Sequence, residues 1–151
     1  MASWAEIERA DRDFAARVQS RFDAATNKVI ATLRADGSPR VSGSELKFED
    51  GEVTLGMMAS SVKLRDVRRD PRIAVHCPTS EPESPEAWPG DAKLAGRVVA
   101  IEPPAGTPFP DSGHFKLDIT EVVLVRVGTP ADHLVIETWH ADRGHQRRIR
   151  Q

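Results

Sequence analysis

Two Asp-Gly dipeptides, Asp36-Gly37 and Asp50-Gly51, constrain this chain more than any other feature in it. Each stands between short runs rich in apolar and β-branched residues, the local signature of a tight hairpin turn. The runs they separate are residues 28–33, residues 39–44 continuing through 48, and residues 52–58. Three consecutive strands in an antiparallel meander are therefore expected. Further strand-like runs follow at residues 72–77, 91–101, 115–128 and 133–139. Gly96 inside one of them marks a bulge or a close backbone approach. No helix alternates regularly with these strands, so a doubly wound parallel sheet is disfavoured. A mainly β, small antiparallel barrel of six to eight strands is expected instead.

Two short helices complete the pattern. Residues 3–22 carry Trp4, Ile7, Phe14, Val18 and Phe22 on one face, and Ser3 with Glu6 forms an S-x-x-E capping box. Residues 61–69 form the second helix, with Leu64 and Val67 marking its buried side. Pro71 ends it, because the residue before a proline avoids helical geometry. Proline-rich loops cover 78–90 and 103–113, and residues 140–151 read as a basic tail.

At 151 residues the chain is one domain, 1–151, long enough to bury a real core. With 39% hydrophobic and 29% charged residues it is globular, and a net charge of −2 argues against a nucleic-acid binder. No apolar run reaches the roughly 20 residues of a membrane helix. The N-terminus is charged early and has no hydrophobic signal core, so a cytoplasmic location is expected. The single cysteine, Cys77, excludes an internal disulfide and a cysteine-rich zinc site, and its strand pattern places it in the core.

The helix at Ser61 opens with an electrostatic conflict. A helix N-terminus offers unpaired N–H groups and the positive end of a dipole, where Asp or Glu is favourable. Here Lys63 stands in the first turn and Arg65 follows. Two readings are open. Lys63 points into water above an ordinary cap by Ser60 or Ser61, or an anion such as phosphate sits between the amides, the hydroxyls and Lys63.

The order of strand, Ser61-Val62-Lys63, basic helix, Arg69-Asp70-Pro71-Arg72 and strand resembles the pyridoxamine 5′-phosphate oxidase-like FMN-binding split barrels. Ala31-Thr32-Leu33 with Asp36-Gly37-Ser38-Pro39 is similar to that family's first hairpin. The resemblance runs from about residue 10 to 140 and implies a split β-barrel carrying FMN at a homodimer interface. Ser61 and Lys63, with Ser60, would take the phosphate, and Arg40 stands near the family's basic residue on the second strand. Ser42, Gly43 and Ser44 would line the flavin ring, and Met57 and Met58 would approach it through backbone groups. Trp139 followed by Arg143-x-His145-x-Arg147 resembles the C-terminal signature of the true oxidases. By that likeness Trp139 and Arg147 would reach the partner's flavin, and Arg143 and His145 would meet a small-molecule substrate. The gap from Trp139 to Arg143 is shorter than in those enzymes, and Ser-Val-Lys lacks the arginine of a Ser-Arg-Lys grip.

His76, His114, His133, His140 and His145 show no paired spacing with carboxylates, so core or surface roles are expected and no metal site. No G-x-S-x-G elbow is present. The expected activity is a flavin-dependent oxidoreductase in which the cofactor does the chemistry and no side-chain nucleophile is needed. A reductase using the deazaflavin F420 on the same scaffold, or a non-catalytic flavin- or haem-binding carrier, are the alternatives.

Overall fold

The computed structural model describes residues 2–151. Two helices open the chain, α1 (Trp4–Ala10) and α2 (Arg12–Phe22), where the sequence pattern suggests one. The break is Asp11, whose extended backbone ends α1 while its carboxylate accepts from the Phe14 N–H at 3.0 Å to cap α2. A short polar side chain that competes for backbone donors does this where an apolar residue would let the helix run on. The capping box forms as expected, with Glu6 N–H donating to Ser3 Oγ and Ser3 N–H to Glu6. Trp4, Ile7, Phe14, Val18 and Phe22 are all buried.

Nine strands follow: β1 (Asn27–Leu33), β2 (Pro39–Glu45), β3 (Lys47–Glu49), β4 (Glu52–Met57), β5 (Arg72–His76), β6 (Asp91–Ala100), β7 (Gly113–Val127), β8 (Leu134–His140) and β9 (Gly144–Arg150). Between β4 and β5 lies the third helix, α3 (Val62–Arg69). Every pairing is antiparallel, and the order runs β2-β1-β5-β6-β7-β4-β3, with β8 and β9 added to β7. β2 also lies beside β4, which brings the two ends of the path together into a barrel. β7 is long enough to serve twice. Its first half pairs β4 and its second half pairs β8, so the sheet divides along it.

Both Asp-Gly turns are hairpins, but the meander is not formed. Asp36-Gly37 joins β1 to β2, Asp50-Gly51 joins β3 to β4, and β4 pairs with β7 instead of β2. A turn dictates only the strands it connects; the remaining partners come from barrel closure. Gly96 is a bulge, with the register shifting between Ala95 and Gly96. A Cβ at Gly96 would stand 2.0 Å from the Asp118 carbonyl oxygen, so only glycine lets the two strands approach. Residues 144–150 form an edge strand paired along its length to β8, not a free tail. Cys77 is buried, and no helix among the described residues is long and apolar enough to cross a membrane.

Gly37 holds φ at +86° with nothing within 4 Å of where a Cβ would sit. Gly37→Ala therefore adds backbone strain and no clash. The expected loss is about 1 kcal/mol by chemical denaturation, with the fold retained.

Candidate functional site

The site begins where β4 ends. Ser61, in extended backbone, caps α3 by accepting the Leu64 N–H on its hydroxyl at 3.3 Å. Its own N–H donates to the Met58 carbonyl at 2.9 Å, which fixes the approach to the helix. The first turn holds no acid, whereas Arg68 and Arg69 stand favourably in the last. Lys63, half-buried, sends its ammonium across to the Gly43 carbonyl of β2. Among the described residues it forms no ion pair, and burial lowers its pKa. The cation at the positive end of the helix is thus held in place without a counter-charge.

One turn further, Asp66 is buried and ties the helix to the first hairpin. Its Oδ2 accepts from Thr32 Oγ1 and from Arg40 Nε, each at 2.7 Å, and its Oδ1 from Arg69 at 3.0 Å. Burial pushes the carboxyl up, but the bonds from Arg40, Thr32 and Arg69 outweigh it and bring it down to about 2. Arg40 is therefore anchored by one edge. Two cations, Arg40 and Arg69, pair with that one carboxylate, while Lys63 stands apart from it on the Gly43 carbonyl.

On β2 the side chains alternate, so Arg40, Ser42 and Ser44 share the face of Thr32, Ile30 and Lys28, and Gly43 belongs to the other face. The expected row Ser42-Gly43-Ser44 is split accordingly, and Gly43 contributes only its carbonyl. Ser44 donates to the Glu45 carbonyl at 3.4 Å. Ser42 Oγ is enclosed and has no hydrogen-bond partner, an unmade bond in a position where an orphaned hydroxyl costs roughly 1–3 kcal/mol. Met57 is in the core, while Met58 is 73% exposed and Ser60 is exposed beside it.

The C-terminal residues lie elsewhere in the chain. Trp139 is packed in the core. His145 faces inward against Phe14 at 4.8 Å between ring centroids, with Asp11 at 3.2 Å and Glu137 at 3.1 Å. Arg143 and Arg147 are exposed and line a concavity of about 850 Å³ with Lys93, His140, Arg148 and Arg150. The structure thus brings Arg40, Gly43, Ser61 and Lys63 together around α3 and does not bring Trp139, Arg143, His145 or Arg147 to them within one chain.

Sequence reasoning missed Asp66, Thr32 and Arg69 as supports of this site. The available signal was one acid inside an otherwise basic helix, three residues before Arg69 and so on the same side of the helix as it. Helix amides, hydroxyls and two anchored cations are the groups from which an anion site is built, and among the described residues no nucleophile stands beside them paired with a base.

No protein-family model matches the sequence, and no curated protein matches it. Solved structures do match. A pyridoxamine 5′-phosphate oxidase-related, FMN-binding protein from Nostoc punctiforme superimposes with a TM-score of 0.63 at 11% identity, over 100% of this chain and 98% of that one. PhzG from Burkholderia lata, solved with tetrahydrophenazine-1-carboxylic acid, gives 0.66 at 12% identity, over 97% and 92%. An F420 reductase gives 0.52 at 18% identity, over 69% and 94%. The structural neighbours are pyridoxamine 5′-phosphate oxidase-like split barrels, and the fold of this chain is theirs. At these identities the likeness fixes architecture, while the site rests on the residues described above.

Proposed function

We propose that this chain is an FMN-dependent oxidoreductase that works as a homodimer, with the cofactor phosphate on Ser60, Ser61, Lys63 and Arg40. The observation that carries this reading is the uncompensated, half-buried Lys63 at the start of a helix without an acid in its first turn. The orphaned Ser42 hydroxyl, on the same strand face as Arg40, fits a group bound beside β2. The names of the structural neighbours support the choice of cofactor.

When bound, a flavin supplies the hydride and electron chemistry. The chain's own residues bind and orient it. Lys63 and the first-turn amides of α3 hold negative charge, and Asp66 keeps Arg40 from swinging away. Ser42 offers a hydroxyl donor toward the bound group. Val29, Val41, Met58 and Val62 are exposed and stand next to Gly43 and Ser61, an apolar rim that a second subunit would cover, excluding water. Arg143 and Arg147, exposed on the basic concavity, are the residues left to meet an anionic substrate.

The test is mass spectrometry of whatever small molecule accompanies the purified protein, followed by parallel titration with FMN and F420. FMN at one per chain, with a dimer in sedimentation at micromolar concentration, is the expected result. Binding of F420 alone would make the protein a deazaflavin reductase. Failure of both at micromolar concentration would overturn the proposal, and a flavin-loaded monomer would remove its dimer.

A further inference from the structure

A second set of donors lies where β5 ends and β6 begins, away from α3. His76 closes β5, Cys77 follows it, and Asp91 opens β6. One ligand atom from each, an imidazole nitrogen, Sγ and a carboxylate oxygen, all lie within 4.8 Å of one another. The histidine spacing in the sequence does not reveal this, because Asp91 arrives from the far side of the 78–90 loop.

The hydrogen bonds around the cluster orient it. His76 Nδ1 stands 2.6 Å from the Cys77 carbonyl oxygen, which only accepts, so Nδ1 carries a proton. In the neutral ring Nε2 then presents a lone pair, and it faces Asp91 Oδ2 at 3.6 Å. Two acceptors pointing at each other leave room for a cation between them. An Nδ1–H bond to a backbone carbonyl is also the arrangement that fixes the tautomer of a metal-ligating histidine. The Cys77 sulfur accepts the Ala92 N–H at 3.2 Å, as an outer donor to a ligating sulfur does. The Cys77 N–H in turn donates to the Ala92 carbonyl at 2.9 Å, so both halves of the cluster are locked by one ladder.

We infer that His76 Nε2, Cys77 Sγ and the Asp91 carboxylate form a site for a divalent cation of the zinc class, with water as fourth ligand. One nitrogen, one sulfur and one oxygen suit a borderline-soft ion that accepts tetrahedral coordination, not magnesium or calcium, which take oxygen alone. Binding forms the metal–sulfur bond as the thiol loses its proton to solvent, so one proton leaves per ion bound. Thiolate and carboxylate then balance the ion's two positive charges. Lys93, paired across from His76, and Arg21, which donates to the Gly90 carbonyl at 3.0 Å, are the cations nearby, and they limit affinity.

The experiment uses flavin-free full-length protein, stripped with a chelator and titrated with cobalt(II). One equivalent is expected to give a thiolate-to-cobalt charge-transfer band and the intense visible bands of a tetrahedral ion, both abolished by zinc. Cys77→Ser removes the charge-transfer band. His76→Gln and Asp91→Asn, at partly exposed positions, keep the fold and weaken affinity by roughly a thousandfold, more than the about 10–100-fold that loss of an outer hydrogen-bond partner costs. No thiolate band, or unchanged affinity in either of those two variants, overturns the site.

Discussion

The Ser61→Ala, Lys63→Ala double variant is expected to bind FMN on the order of a hundredfold more weakly than the unaltered protein. A hydrogen bond to a charged group contributes about 1.5–3 kcal/mol and a neutral one about 0.5–1.5, and each 1.4 kcal/mol is tenfold in affinity. Lys63 is placed for the larger contribution because it is already ordered against Gly43 and meets no carboxylate. Ser61 supplies the smaller one, and its loss also removes the bond to the Leu64 N–H that shapes the start of α3. Riboflavin gives the control, since it has the ring without the phosphate. Its affinity should be nearly the same in both proteins. Fluorescence titration of the two ligands therefore separates a phosphate grip from a general loss of folding. Full FMN affinity in the double variant would show that the anion site at α3 is misplaced.

Asp66 extends that logic to the support beneath the grip. It holds Arg40 by Nε, so the rest of the guanidinium is presented in a fixed direction. This is the part of the site that the sequence left hidden. A cap at Ser60 or Ser61 and the limits of α3 are local properties, legible from serines and a proline. Asp66 gains its meaning only from Thr32 and Arg40 on another hairpin, and nothing within α3 announces them. The edge strand β9 was illegible for a different reason. Gly144-His-Gln-Arg-Arg-Ile-Arg has no apolar alternation, because after His145 both its faces are open to solvent, and its strand character comes from β8. The same holds for β4, whose alternation was plain but whose partner β7 lies far along the chain.

Glu137→Gln is expected to cost about 2–3 kcal/mol at neutral pH, measured by chemical denaturation. Glu137 is buried on β8 and takes a two-pronged bond from Arg17 of α2, at 2.5 and 2.9 Å, with His145 at 3.1 Å and Arg126 at 3.7 Å. This carboxylate ties the helical layer to β8 and β9. Removing one partner of a fully buried pair costs about 3–5 kcal/mol, and the cost here falls at or below the bottom of that range because Arg17 still reaches water. The bonds from Arg17, opposed by burial and joined by His145, hold the Glu137 carboxyl at about 2, against 4.5 for the free group. A carboxyl with a lowered pKa stabilises the fold fully above its unfolded pKa and loses that contribution as pH falls through the folded value. Asp66, also near 2, acts in the same sense. The unaltered protein should therefore lose stability progressively between about pH 4.5 and pH 2. The Glu137→Gln variant starts lower and should fall less over the same interval, so the two curves converge toward pH 2. Parallel curves would mean that the charge on Glu137 contributes nothing, and that the bonds drawn to it from Arg17 and His145 do not form in solution.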